Sequence, residues 1–443
     1  MEPVAEAPDG KLRGLAAGGV LTFRGVRYAT ARRFAAPEPV PAWPGVLDAT
    51  EHGQVSPQPP SRLDGVMGPP RDEQVQGEDC LNLTITTPGT TGRRPVLVWL
   101  HGGAFSSGAG SLNWYDGRAL AAQGDVVVAG VNYRLGALGF LRRPGVSPGN
   151  LGLLDQLAAL RWIQRNIAAF GGDPECVTVL GQSAGAQSIA CLLAAGVADG
   201  LLHRAIMQSA PLALKLMDTA ATAKTASRFL AALDADPRTA PIERVLAAQR
   251  ATAVKAAGPA GLRTMPVFAP AAGAPPFGHG TGMDRLAESA RKVDVLIGTT
   301  ADELDAFLEP NPAVAKAKRL IGDRPVAAAK AALTERFFAG PSLRLADELA
   351  ANGGNVYSYR FGWRPPHGRF GACHCIELPF LFGDEESWLG SPMLGDAPWE
   401  TVRTLGHTLR EAWLSFARHG DPAATGAVTW PAHTPGRPPT PLP

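Results

Sequence analysis

The sequence predicts an α/β fold built on a mostly parallel central sheet flanked by helices, and three features predict it. Apolar strand-like runs recur at 96–100, 126–131, 177–180, 205–207 and 293–297 with helical patterns between them, the alternation that parallel βαβ units require. The β-branched run Val177-Thr178-Val179-Leu180 passes through Gly181-Gln182-Ser183-Ala184-Gly185 into a small-residue apolar stretch, Ala186 to Ala195, which reads as strand, sharp turn and helix. Loops rich in polar and small residues follow these strands, where an open parallel sheet places its ligand sites.

The elements follow in chain order. Val96-Leu97-Val98-Trp99-Leu100 is a continuous apolar strand that runs directly into His101-Gly102-Gly103-Ala104-Phe105, and Val126 to Val131 is the next strand. Asp155 to Phe170 is the strongest helix, with Leu157, Leu160, Gln164 and Ile167 near one face and Asp155 in its first turn. After the strand and turn around Ser183 come the strand-like Ala205 to Met207, the buried-strand pattern Val293-Asp294-Val295-Leu296-Ile297-Gly298, and Val356 to Phe361. Prolines at 431, 435, 438, 439, 441 and 443 predict an extended or disordered tail over 430–443.

Composition narrows the class. A hydrophobic fraction of 45% supports a large core, and although 443 residues suffice for two domains, α/β folds run long as single ones, so 1–443 is read as one domain. A net charge of +2 with 19% charged residues points to neither a nucleic-acid surface nor an acidic substrate; the pair Arg142-Arg143 is read as a solvated loop. Met1 to Gly10 carries two glutamates, an aspartate and no apolar core, and no apolar run reaches membrane-spanning length, so a cytoplasmic protein without a membrane partner is expected. Five cysteines, an odd number, argue against a complete disulfide framework.

The turn around Ser183 carries the chemistry. Only glycine or another very small residue fits two positions before and after a serine on so tight a turn, and Gly181 and Gly185 meet that demand. In α/β-hydrolases a loop like Gly102 to Phe105 donates backbone N–H groups to an oxyanion, here from Gly103 and Ala104, and the residue after the nucleophile, Ala184, donates another.

Several stretches resemble the type-B carboxylesterase/lipase family, which includes the bacterial para-nitrobenzyl esterases, the cholinesterases and the non-catalytic neuroligins. They are Glu78-Asp79-Cys80-Leu81-Asn82, the loop Gly102 to Phe105, Asn132-Tyr133-Arg134-Leu135-Gly136, Gly149-Asn150-Leu151-Gly152-Leu153-Leu154-Asp155-Gln156, Asn166-Ile167 with Phe170-Gly171-Gly172-Asp173-Pro174, and the Ser183 turn. The match runs from about Phe23 to His374. It implies an α/β-hydrolase fold with Ser183 as nucleophile, Glu303 in the loop Thr299-Thr300-Ala301-Asp302-Glu303 as the acid, with Asp302 as runner-up, and His374 in Gly371-Ala372-Cys373-His374-Cys375 as the base. The order Ser, Glu, His is the one an α/β-hydrolase uses. A serine hydroxyl attacks only when a base takes its proton, and the acid holds that base in the right tautomer. The resemblance thus implies hydrolysis of a neutral, small-molecule carboxylic ester through an acyl-enzyme, with no cofactor and no metal. It gives His101, at the start of the oxyanion loop, a structural role.

Departures from the family pattern bear on substrate. The spacing of 71 residues between Glu303 and His374 is short for the family, which implies a reduced helical cap, with cap segments near 212–290 and 304–352. The position before the nucleophile, usually Glu, is Gln182, and Leu304 follows Glu303 where Gly is common. No cysteine stands in Val55-Ser56-Pro57-Gln58 to pair with Cys80 as in secreted relatives, so Cys80, Cys176 and Cys191 are expected as buried thiols. The resemblance also implies buried ion pairs Arg33 with Glu78 and Arg134 with Asp155. Ser56 to Cys80 holds no aromatic residue to bind a quaternary ammonium, which argues against choline esters. The alternatives are a catalytically silent binding protein of the neuroligin kind, or another serine hydrolase such as a thioesterase, carbamate esterase or lipase. Oligomeric state is left open.

Overall fold

Runs of Val, Ile and Leu, which fit a pleated and buried surface, form the strands of a ten-stranded sheet. In chain order these are β1 (Leu15–Ala17), β2 (Val20–Arg27), β3 (Asn82–Thr87), β4 (Arg94–Leu100), β5 (Val127–Val131), β6 (Gly172–Gln182), β7 (Arg204–Gln208), β8 (Asp294–Thr300), β9 (Val356–Phe361) and β10 (Thr440–Leu442). The structure, a computed structural model, describes residues 2–72, 74–257, 266–278 and 282–443. The stretches 258–265 and 279–281 of the first expected cap segment therefore lie outside the described residues.

Across the sheet the order is β10-β9-β8-β7-β6-β4-β5-β3-β2-β1. Every pairing from β10 to β5 is parallel, and β3, β2 and β1 extend the sheet with antiparallel pairs. The sheet is thus mixed, with a parallel centre, as an α/β-hydrolase requires.

The helices cover both faces. Those used below are α1 (Leu151–Asn166), α2 (Ala184–Ala194), α3 (Thr219–Leu233), α4 (Ile242–Ala257), α5 (Pro312–Ile321), α6 (Asp323–Thr334), α7 (Gly340–Ala351) and α8 (Trp399–His419). Because side chains alternate along a strand, β4 sends Val96, Val98 and Leu100 into the core shared with Leu160 and Ile163 of α1 and Ile189 of α2. It sends Leu97 and Trp99 into a second core with Trp413 and Phe416 of α8. Both sets are buried, which explains why β4 reads as an unbroken apolar run rather than an alternating one. Each such aliphatic side chain stabilises the fold by about 1.5–3 kcal/mol.

Helix α1 starts before the expected Asp155, because Asn150 adopts a left-handed conformation (φ 52°) that turns the chain into it, and it closes in a 3₁₀ turn, Ile167–Phe170. Buried Asp155 takes two bonds from the Arg134 guanidinium, 2.6 and 2.8 Å, and one from the Arg134 backbone N–H, 3.1 Å, which ties the loop after β5 to α1. Arg33 meets Glu78 (Nε to Oε2 2.8 Å) as a half-buried pair.

Two expectations change. The segment from Trp430 is extended but docked: Trp430 is buried with its Nε1 donating to the Ser358 carbonyl (3.2 Å), His433 joins Ser358 and Asp347, and β10 pairs with β9. Proline is compatible with an edge strand, whose outer N–H positions need no partner, so Pro441 sits in β10 without breaking the ladder. All five cysteines are free thiols, but Cys176 is only half-buried and accepts from Arg204 (3.4 Å). Among the described residues no helix is long and apolar enough to cross a membrane.

Candidate active site

The end of β6 and the start of α2 place Ser183 on a turn with φ 57° and ψ −119°, a conformation rarely adopted by a residue with a side chain. Packing enforces it. A Cβ on Gly185 would lie 1.9 Å from the Leu100 carbonyl oxygen at the end of β4, and one on Gly181 would lie 2.7 Å from the Gly185 backbone. The Ser183 N–H donates to the Gln208 carbonyl at the end of β7 (2.9 Å), which fixes the turn to the neighbouring strand.

Beyond β4 the chain takes positive φ at Gly103 (111°), Ala104 (53°) and Phe105 (58°) in succession. The resulting loop turns its carbonyls inward, where Gly103 accepts from the N–H groups of Ser106 and Ser107 at 3.0 and 3.1 Å. The N–H groups of Gly103, Ala104 and Ala184 donate to no carbonyl or side chain among the described residues. His101 is buried beneath this loop, stacks on Tyr133 (4.3 Å between ring centroids), and has its Nδ1 2.7 Å from the Gly102 carbonyl. Burial lowers its pKa to about 4, so the ring is neutral.

Glu303 and His374 meet across the ends of β8 and β9. Nδ1 of His374 donates to Oε2 of Glu303 at 2.5 Å, both side chains are buried, and Oε1 of Glu303 accepts from the Thr300 N–H at 2.8 Å. Asp302 faces elsewhere, taking two bonds from Arg364 (2.8 and 3.0 Å) and one from the Ala372 N–H (2.9 Å). The structure therefore brings Glu303, not Asp302, to the imidazole. Phe307 and Phe338 flank that ring at 5.1 and 5.3 Å between centroids. Burial pushes the thiols of Cys373 and Cys375 up, so both flanking cysteines stay neutral. Among the described residues no three His, Cys, Asp or Glu side chains converge as metal donors.

Ser183 and His374 share the wall of one cleft of about 450 Å³, and Ser183 also lines an adjoining lobe of about 170 Å³. The hydroxyl of Ser183 makes no bond to the ring. Nε2 of His374 instead contacts the side-chain amide of Gln182 at 3.0 Å. The smaller lobe is walled by Leu214, Leu304, Phe307, Phe337 and Phe338. The two phenylalanines at 337 and 338 come from a π-helical turn, Glu335–Ala339, between α6 and α7, an irregularity frequent at functional sites and without a sequence signature. Sequence reasoning missed this wall and the hydrogen bond from Gln182.

A sequence model of the carboxylesterase family matches residues 1–323 and 314–440. The chain is 42% identical to a probable N-octanoylanthranilate hydrolase of Rhodococcus erythropolis over 97% of this chain and 95% of the relative. It is 38% identical to the para-nitrobenzyl esterase of Bacillus subtilis over 96% of this chain and 91% of the relative. A solved thermophilic para-nitrobenzyl esterase superposes with a TM-score of 0.83 at 36% identity, covering 98% of this chain and 94% of its own. The chain thus belongs to the carboxylesterase family, as an ester-hydrolysing serine hydrolase with the α/β-hydrolase fold.

Proposed function

We propose that the chain cleaves carboxylic esters through an acyl-enzyme on Ser183, with His374 as general base and then acid and Glu303 as its orienting carboxylate. The contact of 2.5 Å between His374 and Glu303, at the wall of the cleft that Ser183 enters, carries this reading. With Nδ1 donating to Glu303, the lone pair of Nε2 faces the cleft and takes the Ser183 proton as Oγ bonds to the ester carbon. The carbonyl oxygen gains the negative charge, for which the free N–H groups of Gly103, Ala104 and Ala184 are the donors; loss of one such donor typically costs about 100- to 1000-fold in turnover. Collapse of the adduct breaks the ester bond and the alcohol leaves with the proton from Nε2. Water then attacks the acyl carbon, gives its proton to Nε2, and the acid departs as Ser183 Oγ is reprotonated.

The helices α3 and α4 and the stretch from α5 to α7 are read as the cap over the site, and the whole chain as one domain. The same reading places the protein in the cytoplasm, which its five free thiols support. A fluorophosphonate probe followed by peptide mapping tests the proposal. Covalent label on the Ser183 peptide, absent in Ser183→Ala, is the expected result, and label elsewhere overturns it.

A further inference from the structure

The cleft has two lobes, and the proposed chemistry assigns them. A general acid must reach the leaving-group oxygen, and His374 lines the larger lobe but not the smaller. The larger lobe therefore holds the alcohol portion. The smaller, closed by Phe337 and Phe338 and lined by Ala104 and Ala184 of the oxyanion loop and turn, holds the acyl chain.

The charge on the larger lobe is of one sign. Arg250 of α4 lines the larger lobe alone, Arg62, from the loop before Leu63, lines both lobes where they meet, and no Asp or Glu is among the described lining residues of either. Neither guanidinium has a hydrogen bond or ion pair among the described residues, although 20 salt bridges occupy other charged side chains. Glu243 lies on α4 beside an outward-facing groove that Arg250 also borders, yet the two form no ion pair. Gln182 removes a further negative charge from the floor of the same lobe. Arginine is always charged and suits carboxylate recognition through its planar fork of donors, so two unpaired arginines in the wall of a cleft lined by no acid form a one-sided electrostatic field.

We propose that this enzyme selects substrates whose leaving group carries a carboxylate, with Arg62 and Arg250 as the specificity-determining cations. The proposal rests on the ester-hydrolase reading above and deepens it. It departs from the neutral ester expected from the motifs and replaces it with an apolar acyl group joined to an anionic alcohol or phenol.

The test compares meta-butanoyloxybenzoate with its carboxamide, which has the same shape and no charge. Wild-type enzyme should show a higher kcat/KM for the carboxylate. The carboxylate-to-carboxamide ratio should fall about two- to five-fold in Arg62→Gln and in Arg250→Gln, the range for exposed ion pairs. It should drop below one in the double variant Arg62→Glu/Arg250→Glu, and approach one for the wild type in about 1 M salt, where the screening length is short. Both side chains are exposed, so these substitutions leave the packing intact. A wild-type ratio of one or less, or a ratio unmoved by the double charge reversal, overturns the inference. Absence of turnover on both esters in the wild type overturns the ester-hydrolase reading, whereas turnover with a ratio of one or less overturns this inference alone, so the two failures are distinguishable.

Discussion

The side-chain amide of Gln182 occupies the outer nitrogen of the His374 imidazole, with 3.0 Å between the two Nε2 atoms. Since Nδ1 of the ring donates to Glu303, its Nε2 lone pair accepts from the amide, and the site at rest holds its base with a neutral donor. Ser183 needs the same lone pair. The hydroxyl and the amide therefore compete for one nitrogen, and the residue before the nucleophile enters the chemistry directly.

A carboxylate at this position would favour the imidazolium, because a nearby opposite charge stabilises the charged form. Gln182→Glu should accordingly move the acidic limb of the kcat/KM profile to higher pH and improve relative activity on cationic esters. Profiles of wild type and variant with one neutral ester check this, and coincident acidic limbs would show that residue 182 is decoupled from the base.

Ser183→Ala should abolish turnover of a short-chain aryl ester and leave the fold unchanged. The substitution keeps a Cβ on the same strained turn and removes only the half-exposed hydroxyl, which makes no internal hydrogen bond. Equal melting temperatures with activity lost by at least about 1000-fold are expected. Retained turnover would remove Ser183 from the mechanism.

The two neighbouring carboxylates should separate sharply. Glu303→Gln leaves His374 without an anionic partner and should cost about 10³- to 10⁴-fold in kcat, the scale seen when a triad carboxylate becomes an amide. Asp302→Asn loosens the pair with Arg364, whose guanidinium is more than half exposed, and should cost less than about ten-fold. Steady-state kinetics on both variants decide the matter, and a larger loss in Asp302→Asn would reverse the assignment.

How far the sequence revealed this site depends on how local each feature is. The Ser183 turn was legible because strand, glycines and helix are contiguous, and their steric demand acts within five residues. Only the family resemblance ranked Glu303 above Asp302, since both sit in one loop and the choice is made by Arg364 and His374, which arrive from later in the chain. The bond from Gln182 to His374 spans 192 residues and depends on side-chain rotamers, so the residues showed a missing charge but not a contact. The C-terminal prolines suggested looseness because composition carries no information about Ser358 and Asp347, the partners that hold Trp430 and His433 in place.

A second buried carboxyl, three residues beyond His374, should dominate the pH dependence of stability. Glu377 is fully buried, accepts from the Tyr359 hydroxyl at 3.1 Å through Oε2, and lies beside the Gln208 side chain. Burial, and then the nearby charge of Glu303, push its pKa from 4.5 up to about 8. The native state therefore keeps a proton that the unfolded chain releases above pH 4.5, and stability falls as pH rises wherever the native state binds more protons. The stabilisation is fully present below about pH 4.5 and is lost progressively up to about pH 8, an effect on the order of 3–5 kcal/mol at 1.36 kcal/mol per unit. Glu377→Gln keeps the size and removes the titration. It should flatten the decline in unfolding free energy between pH 5 and pH 8, measured by denaturant titration, so that the variant gains on the wild type as pH rises. Parallel pH profiles for the two proteins would mean that Glu377 stays ionised in the native state, with a buried cation or bound water as its counterpart.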